Sequence, residues 1–210
     1  MLFFQAIIDK TKNFILQKKQ LKNLKKKMNP KTMLHLGCGR NYFNDWINID
    51  NNSYNDIQKL DLHWDVRKKL PFKDNSVDFI YNEHFFEHLS IEESLSVLND
   101  FKRILKPNGV IRISMPDLDE IVQIYLNPHY KPEDFSAVMG TELLTKAEFL
   151  NVYFRWWGHQ WLYNWEELER RLKAAGFSKI KKCKIGISEY PELNNIEQRT
   201  DSRLIAEVSK

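Results

Sequence analysis

From Lys31 onward, short apolar runs alternate with stretches of helical periodicity, the pattern of βαβ units laid into a parallel sheet. Met33 to Leu36, Trp46 to Ile49, Val77 to Tyr81 and Val110 to Ser114 read as strands, with Asp61 to Val66 as a further strand end. Two more follow near Ile180 to Ile185 and Leu204 to Val208. Ser90 and Glu93 form a capping box ahead of an apolar helix face made by Ile91, Leu95, Leu98, Phe101 and Leu105, and Pro107-Asn108-Gly109 then turns the chain. Asn164 caps a second clear helix carrying Leu168, Leu172 and Ala175, and Gly176 suits a left-handed stop. The expectation is an α/β, Rossmann-like, doubly wound fold with a mainly parallel seven-stranded sheet.

Two segments depart from this rhythm. Residues 1–30 place Ile7, Phe14, Leu21 and Met28 seven apart, with Phe3, Phe4 and Leu24 nearby. Lys10, Lys18, Lys22, Lys25 and Lys26 fall largely elsewhere on the wheel, which predicts a basic amphipathic amino-terminal helix ended by Asn29-Pro30. Residues 31–210 then form one domain, with a helical insertion at about 117–158 that includes the Pro-containing stretch 127–132. An insertion over the carboxyl edge of the sheet is either a substrate cap or a cover for an exposed strand edge.

Composition changes the picture in one respect. The 210 residues, 42% hydrophobic, suffice for one core. The net charge of +4 is uneven, because nine lysines and a single acid, Asp9, lie before Thr32, leaving 23 basic against 27 acidic residues in the rest. Positive charge on an arm rather than on the folded body argues against nucleic acid as partner. The arm suits peripheral contact with an anionic membrane, a partner helix, its own domain or a second copy in a homodimer. No apolar run approaches the ~20 residues of a membrane span, and Asp9, Lys10 and Lys12 interrupt the apolar start that a secretory leader needs. Cys38 and Cys183 stand alone, which fits a reducing cytoplasmic setting, with attachment at the membrane surface left open.

The chemistry gathers at strand ends. His35-Leu36-Gly37-Cys38-Gly39-Arg40-Asn41 follows the first strand, and its glycines allow a sharp turn and close ligand approach. Asp50 ends the second strand, where a carboxylate can accept both ribose hydroxyl hydrogens, and Asp65 follows the third. Together they describe a nucleoside pocket. With Leu70-Pro71-Phe72-Lys73-Asp74-Asn75-Ser76-Val77-Asp78, Leu105-Lys106-Pro107-Asn108-Gly109 and the later Gly158-His159-Gln160-Trp161-Leu162-Tyr163, the run resembles class I S-adenosylmethionine-dependent methyltransferases of the methyltransferase type 11-like branch. The resemblance implies S-adenosylmethionine as cofactor. It sets Gly37 and Gly39 against the methionine and ribose portions, Asp50 on the ribose hydroxyls and Asp65 at the adenine amino group, with Leu36, Cys38, Asn51 and Val66 as further cofactor contacts. Asn82 and Glu83 would line the cofactor beneath the reactive methyl. The chain departs from the family pattern where many members carry an acid (here His35) and a third glycine (here Asn41), and the connection from Gly39 to Asp50 is short for a helix.

Methyl transfer is a displacement on a sulfonium, so the protein chiefly aligns acceptor and methyl, with a base where the acceptor must lose a proton. His84, just after the fourth strand, is the first candidate, and Asp117, His159 and Tyr163 are others; each is otherwise a structural hydrogen-bonding residue. His84, Trp157, His159 and Tyr163 are the candidate acceptor contacts. Four of the six tryptophans fall between 156 and 165, in a cluster that reads first as core or interface and otherwise as a stacking surface. The branch is associated with surface glycans, so the acceptor is read as a small molecule, saccharide or lipid-linked glycan. His84-Phe85-Phe86-Glu87-His88 formally matches the inverted zinc-protease motif H-x-x-E-H, but its place after a buried strand assigns Glu87 and His88 to helix-start packing, and no metal is expected. The rival readings are a noncatalytic S-adenosylmethionine-binding module and an NAD-dependent oxidoreductase. The second lacks the third small residue that close packing beside a pyrophosphate requires.

Overall fold

The computed structural model describes residues 15–24, 27–28, 31–51, 60–131, 135–136 and 142–210. The strands are β1 (Met33–Leu36), β2 (Ile47–Asp50), β3 (Leu62–His63), β4 (Val77–Glu83), β5 (Leu105–Met115), β6 (Lys179–Lys182) and β7 (Leu204–Ser209). Residues 15–24 are helical (α1), followed by α2 (Ile91–Ile104), α3 (Leu118–Leu126), α4 (Lys146–Asn151) and α5 (Trp165–Ala174). The strands form one sheet in the order β3-β2-β1-β4-β5-β7-β6. Neighbouring pairs from β3 through β5 are parallel, and β7 runs antiparallel to both β5 and β6. The expected seven strands are all present. The third is shorter than its apolar run, because residues 64–66 leave the sheet to line a cavity.

Local chemistry accounts for the helices. Ser90 and Glu93 close a reciprocal capping box on α2, whose Val97, Leu98, Phe101 and Ile104 are buried. The Asn164 side chain caps α5 by accepting from the Glu167 N–H, and Gly176, at φ +81°, releases the chain beyond it. Thr145 and Glu148 form another capping box on α4, after which the helix widens into a π turn at Val152–Trp156. As the short Gly39–Asp50 spacing suggests, residues 37–46 contain only turns.

One face of the sheet packs Leu34, Leu36, Ile47 and Ile49 with residues of α2 and α5 in the main core. The opposite face is covered by Trp46, Phe79, Tyr81, Leu193 and Ile196, with Phe43 and Tyr190 against them. A separate small core of Ile121, Leu143, Phe149, Val152, Tyr153 and Leu162 holds the insertion together. Within the arm, Leu24 joins the main core and Leu21 and Met28 pack on it. Gln17 donates to the His63 carbonyl at 2.8 Å, and Gln20 donates to Leu60 O and accepts from His63 N, both at 3.0 Å. These amides satisfy the outer edge of β3, so this part of the arm packs on its own domain. Phe3, Phe4, Ile7, Lys10, Phe14, Lys25, Lys26 and Asn29-Pro30 lie outside the described residues, as does Pro132 of the insertion.

Arg112 on β5 is fully buried. Its guanidinium donates to Glu197 Oε1 at 2.5 Å, Glu207 Oε1 at 2.6 Å, and the carbonyls of Ile187 and Lys184 at 3.1 Å. Both carboxylates are buried with it, which joins β5, β7 and the 184–197 segment through charge. Removing the cation strands two carboxylates, so Arg112→Met should lower stability by about 3–5 kcal/mol in urea denaturation. A loss below about 1 kcal/mol would show that water reaches the network.

Candidate functional site

The chain turns outward from β1 toward β3 and then returns to place β4 on the other side of β1. Loops leaving β1 and β4 therefore diverge at the carboxyl edge, the position at which such sheets open a crevice. A cavity of about 460 Å³ lies there, lined by Gly37, Gly39, Asp50, Asn51, Trp64, Asp65, Val66, Arg67, His84, Phe85, His88, Leu89 and Trp157.

Its first wall is the glycine loop. Gly37 N–H donates to Ile49 O at 2.9 Å, and Gly39 N–H donates to Asp50 Oδ2 at 2.8 Å, so the loop is pinned across β1 and β2. Gly37 has φ +66°, and a Cβ there would meet the Phe85 ring at 2.5 Å. Gly39, at φ +54°, has open space where its Cβ would stand. The glycines thus serve different ends: one permits packing of the β4 loop, the other leaves the wall open. Leu36 lies in the main core and Cys38 is buried; neither lines the cavity. His35 is also buried, stacked on Phe43 at 4.5 Å between ring centroids.

Asp50, Asn51, Asp65 and Val66 stand together on the second wall. Arg67 forks onto Asp65, with Nε at 2.9 Å from Oδ1 and Nη2 at 3.0 Å from Oδ2. That contact holds the carboxyl below its usual range. Arg67 was not foreseen as a site residue, although its place two residues after Asp65 makes such a local pair natural.

The third wall begins at His84. Its φ of +48° is unusual for a residue with a Cβ, and its N–H donates to Ser114 O at 2.9 Å. Nδ1 lies 3.5 Å from Glu87 Oε1 and Nε2 lies 3.5 Å from Asp201 Oδ1. Burial pushes the imidazole down to about 3, against the upward pull of the Asp201 charge, so it is neutral at physiological pH. Asp201 arrives from the segment before β7, held by Arg199 with Nη2 at 3.1 Å. It is a long-range contribution with no local sequence signal.

Several expected residues lie elsewhere. Asn82 and Glu83 are buried and do not line the cavity. The Glu83 carboxylate instead accepts from Gln198 N at 2.9 Å, Arg199 N at 3.1 Å and Ser202 Oγ at 2.7 Å, anchoring the segment that carries Asp201. Asp117 caps α3, accepting from Asp119 N at 3.0 Å, and lines a separate cavity of about 180 Å³. Tyr163 is a core residue, its ring centroid 5.4 Å from that of Phe86. His159 is buried behind the wall, with Nε2 3.9 Å from Glu87 Oε1, and burial lowers it to about 4. Of the candidate acceptor contacts, His84 and Trp157 line the cavity, whereas His159 and Tyr163 do not.

The cavity fits a nucleoside with a cationic tail. Its volume falls in the ~300–1,000 Å³ range of small-molecule sites, two acids stand at adjacent strand ends, and the Gly39 face is open. S-adenosylmethionine, with a ribose and a sulfonium, has that chemistry.

A family model described as "Methyltransferase domain" matches residues 10–182. No curated protein matches the chain. Among solved structures, a SAM-dependent methyltransferase from Archaeoglobus fulgidus aligns at TM-score 0.53 and 17% identity, over 94% of each chain. Another from Thermotoga maritima, described as a possible histamine N-methyltransferase, aligns at TM-score 0.53 and 14% identity, over 99% of this chain and 98% of that one. At such identities these likenesses concern the fold, and the family match covers most of the chain. The chain therefore belongs to the methyltransferase-domain family, the class I S-adenosylmethionine-dependent methyltransferases.

Proposed function

We propose that this methyltransferase binds S-adenosylmethionine along the Gly37–Asp50–Asp65 walls and methylates a hydroxyl of a saccharide, free or lipid-linked, at the His84–Trp157 end. The observation that carries this reading is a single cavity with both ends on it. Bound S-adenosylmethionine supplies an electrophilic methyl on a sulfonium leaving group.

The chain's own residues then have three tasks. The backbone at Gly39 and the carboxylate of Asp50 hold the ribose, while Asp65, fixed by Arg67, faces the base. His84, neutral and standing 3.5 Å from both Asp201 and Glu87, accepts the proton of the acceptor hydroxyl. That proton becomes strongly acidic as the oxygen gains positive charge, so a depressed imidazole still takes it. Phe85, Leu89 and Trp157 keep the end apolar, which limits competing water. Trp157, which lines this end, offers an aromatic face of the kind that stacks on sugar C–H groups.

Calorimetric titration with S-adenosylmethionine and S-adenosylhomocysteine tests the cofactor half. Wild type should bind both, and Asp50→Ala should weaken binding by at least about tenfold, the loss of a charge-assisted hydrogen bond. Absence of binding by folded wild type, or NAD binding in its place, would overturn it. For the acceptor half, labelled-methyl transfer should appear on free or lipid-linked sugars, the two arms separating the sources; no transfer to either would remove the saccharide. His84→Asn, a residue that tolerates positive φ, should lower kcat by about 100-fold or more while cofactor affinity holds. An unchanged kcat would end the base assignment.

A further inference from the structure

Behind the His84 wall lies a polar cluster that methyl transfer, as described, does not use. Glu87, His88 and His159 each offer one ligand atom within 4.8 Å of the others. We infer that these three side chains form a two-histidine, one-carboxylate site for a divalent transition metal of the zinc type, opening onto the acceptor end of the cavity. The placement at that end rests on the function proposed above; the metal site itself does not.

The carboxylate carries the argument furthest. Glu87 is fully buried, and both its oxygens lack a hydrogen-bond partner. His84 Nδ1 at 3.5 Å and His159 Nε2 at 3.9 Å from its Oε1 stand outside normal hydrogen-bonding distance. Among the described residues no lysine or arginine pairs with it, in contrast with Glu197 and Glu207, which share Arg112. Buried charge is ordinarily paired or bound to metal, so an unmatched carboxylate facing imidazoles points to a cation.

One ring is prepared for that cation. His159 Nδ1 sits 2.5 Å from Tyr153 O. The His159 imidazole thus has one nitrogen spent on backbone and Nε2 left to coordinate, with the outer hydrogen bond that orients metal-bound histidines. The His88 and His159 ring centroids are 4.8 Å apart. Ligand distances of about 2.0–2.2 Å bring donor atoms to roughly 3.3–3.5 Å of one another, so side-chain rotations moving donors by about 1 Å close the site. The supporting loop is already fastened: Gln160 N–H and Trp161 N–H donate to Glu87 O at 2.8 and 3.2 Å, and Gln160 Nε2 donates to His88 O at 2.7 Å.

Imidazole with carboxylate is a borderline donor set that favours zinc and its first-row neighbours over magnesium. Three protein ligands leave one position open, and His88 lines the cavity. A saccharide hydroxyl is the class of ligand that would occupy it. The sequence pattern H-x-x-E-H pointed to His84 and His88; the fold substitutes His159 for His84, which remains on the cavity wall beside Asp201.

The test is metal binding by the chelator-treated full chain. Zinc, cobalt and magnesium chlorides are titrated by calorimetry, with the visible spectrum of cobalt as a geometric readout. One equivalent of zinc or cobalt should bind, with a low-coordinate cobalt spectrum, and magnesium should bind at least about 100-fold more weakly. Glu87→Gln and His159→Asn should each weaken zinc by at least about 100-fold, while His129→Ala, on the exposed insertion, should not. S-adenosylmethionine affinity measured on the same samples reports folding and the cofactor site. If wild type takes up no zinc or cobalt, or if both ligand variants bind as wild type does, the metal site is overturned. Failure of S-adenosylmethionine binding with intact zinc uptake would strike only the functional reading.

Discussion

Parallel strands joined by outward and then returning connections impose a divergence of loops wherever the winding changes direction. In this sheet the change falls between β1 and β4. Backbone from Gly37 and from His84 consequently leaves the sheet side by side, in contact where the Phe85 ring packs on Gly37 and open beyond it at Gly39. The glycine loop, the acid ending β2 and the positive-φ histidine after β4 are responses to that divergence. The crevice follows from topology, whereas its polarity follows from the residues that happen to end each strand.

The parts that periodicity and capping control were legible in the sequence: seven strands, α2 with its Ser90–Glu93 box, and α5 with its Asn164 cap and Gly176 stop. Asp50 and Asp65 were legible because a strand end fixes its neighbour's position. Asn82 and Glu83 stand outside the cavity lining for an equally physical reason. Glu83 ends β4 with its carboxylate taken up by the returning segment 198–202 rather than by the crevice, and Asn82 before it is buried. Asp201 and His159 reach His84 and Glu87 across long sequence separations, and such contacts leave no trace in local pattern.

Charge inside this molecule is handled in two ways. Arg112 sits among two carboxylates and two carbonyls, a network whose geometry leaves its guanidinium well satisfied. Glu87 has no direct ion-pair partner among the described lysines and arginines, and burial, against the weaker downward pull of the Arg199 charge, pushes its carboxyl up to about 8. One arrangement fastens strands; the other is poised for something that the chain itself does not provide.

The Glu83 clamp links the His84 wall of the cavity to the last strand of the sheet. His84 finds Asp201 only when the 198–202 segment is docked, and that segment leads directly into β7, which pairs with β5 across some of the longest sequence separations in the fold. Occupancy of the cavity and the seating of β7 are therefore linked equilibria: whatever prefers the finished wall slows the opening of that strand, so amide exchange along β7 becomes a remote gauge of ligand at the opposite side of β4.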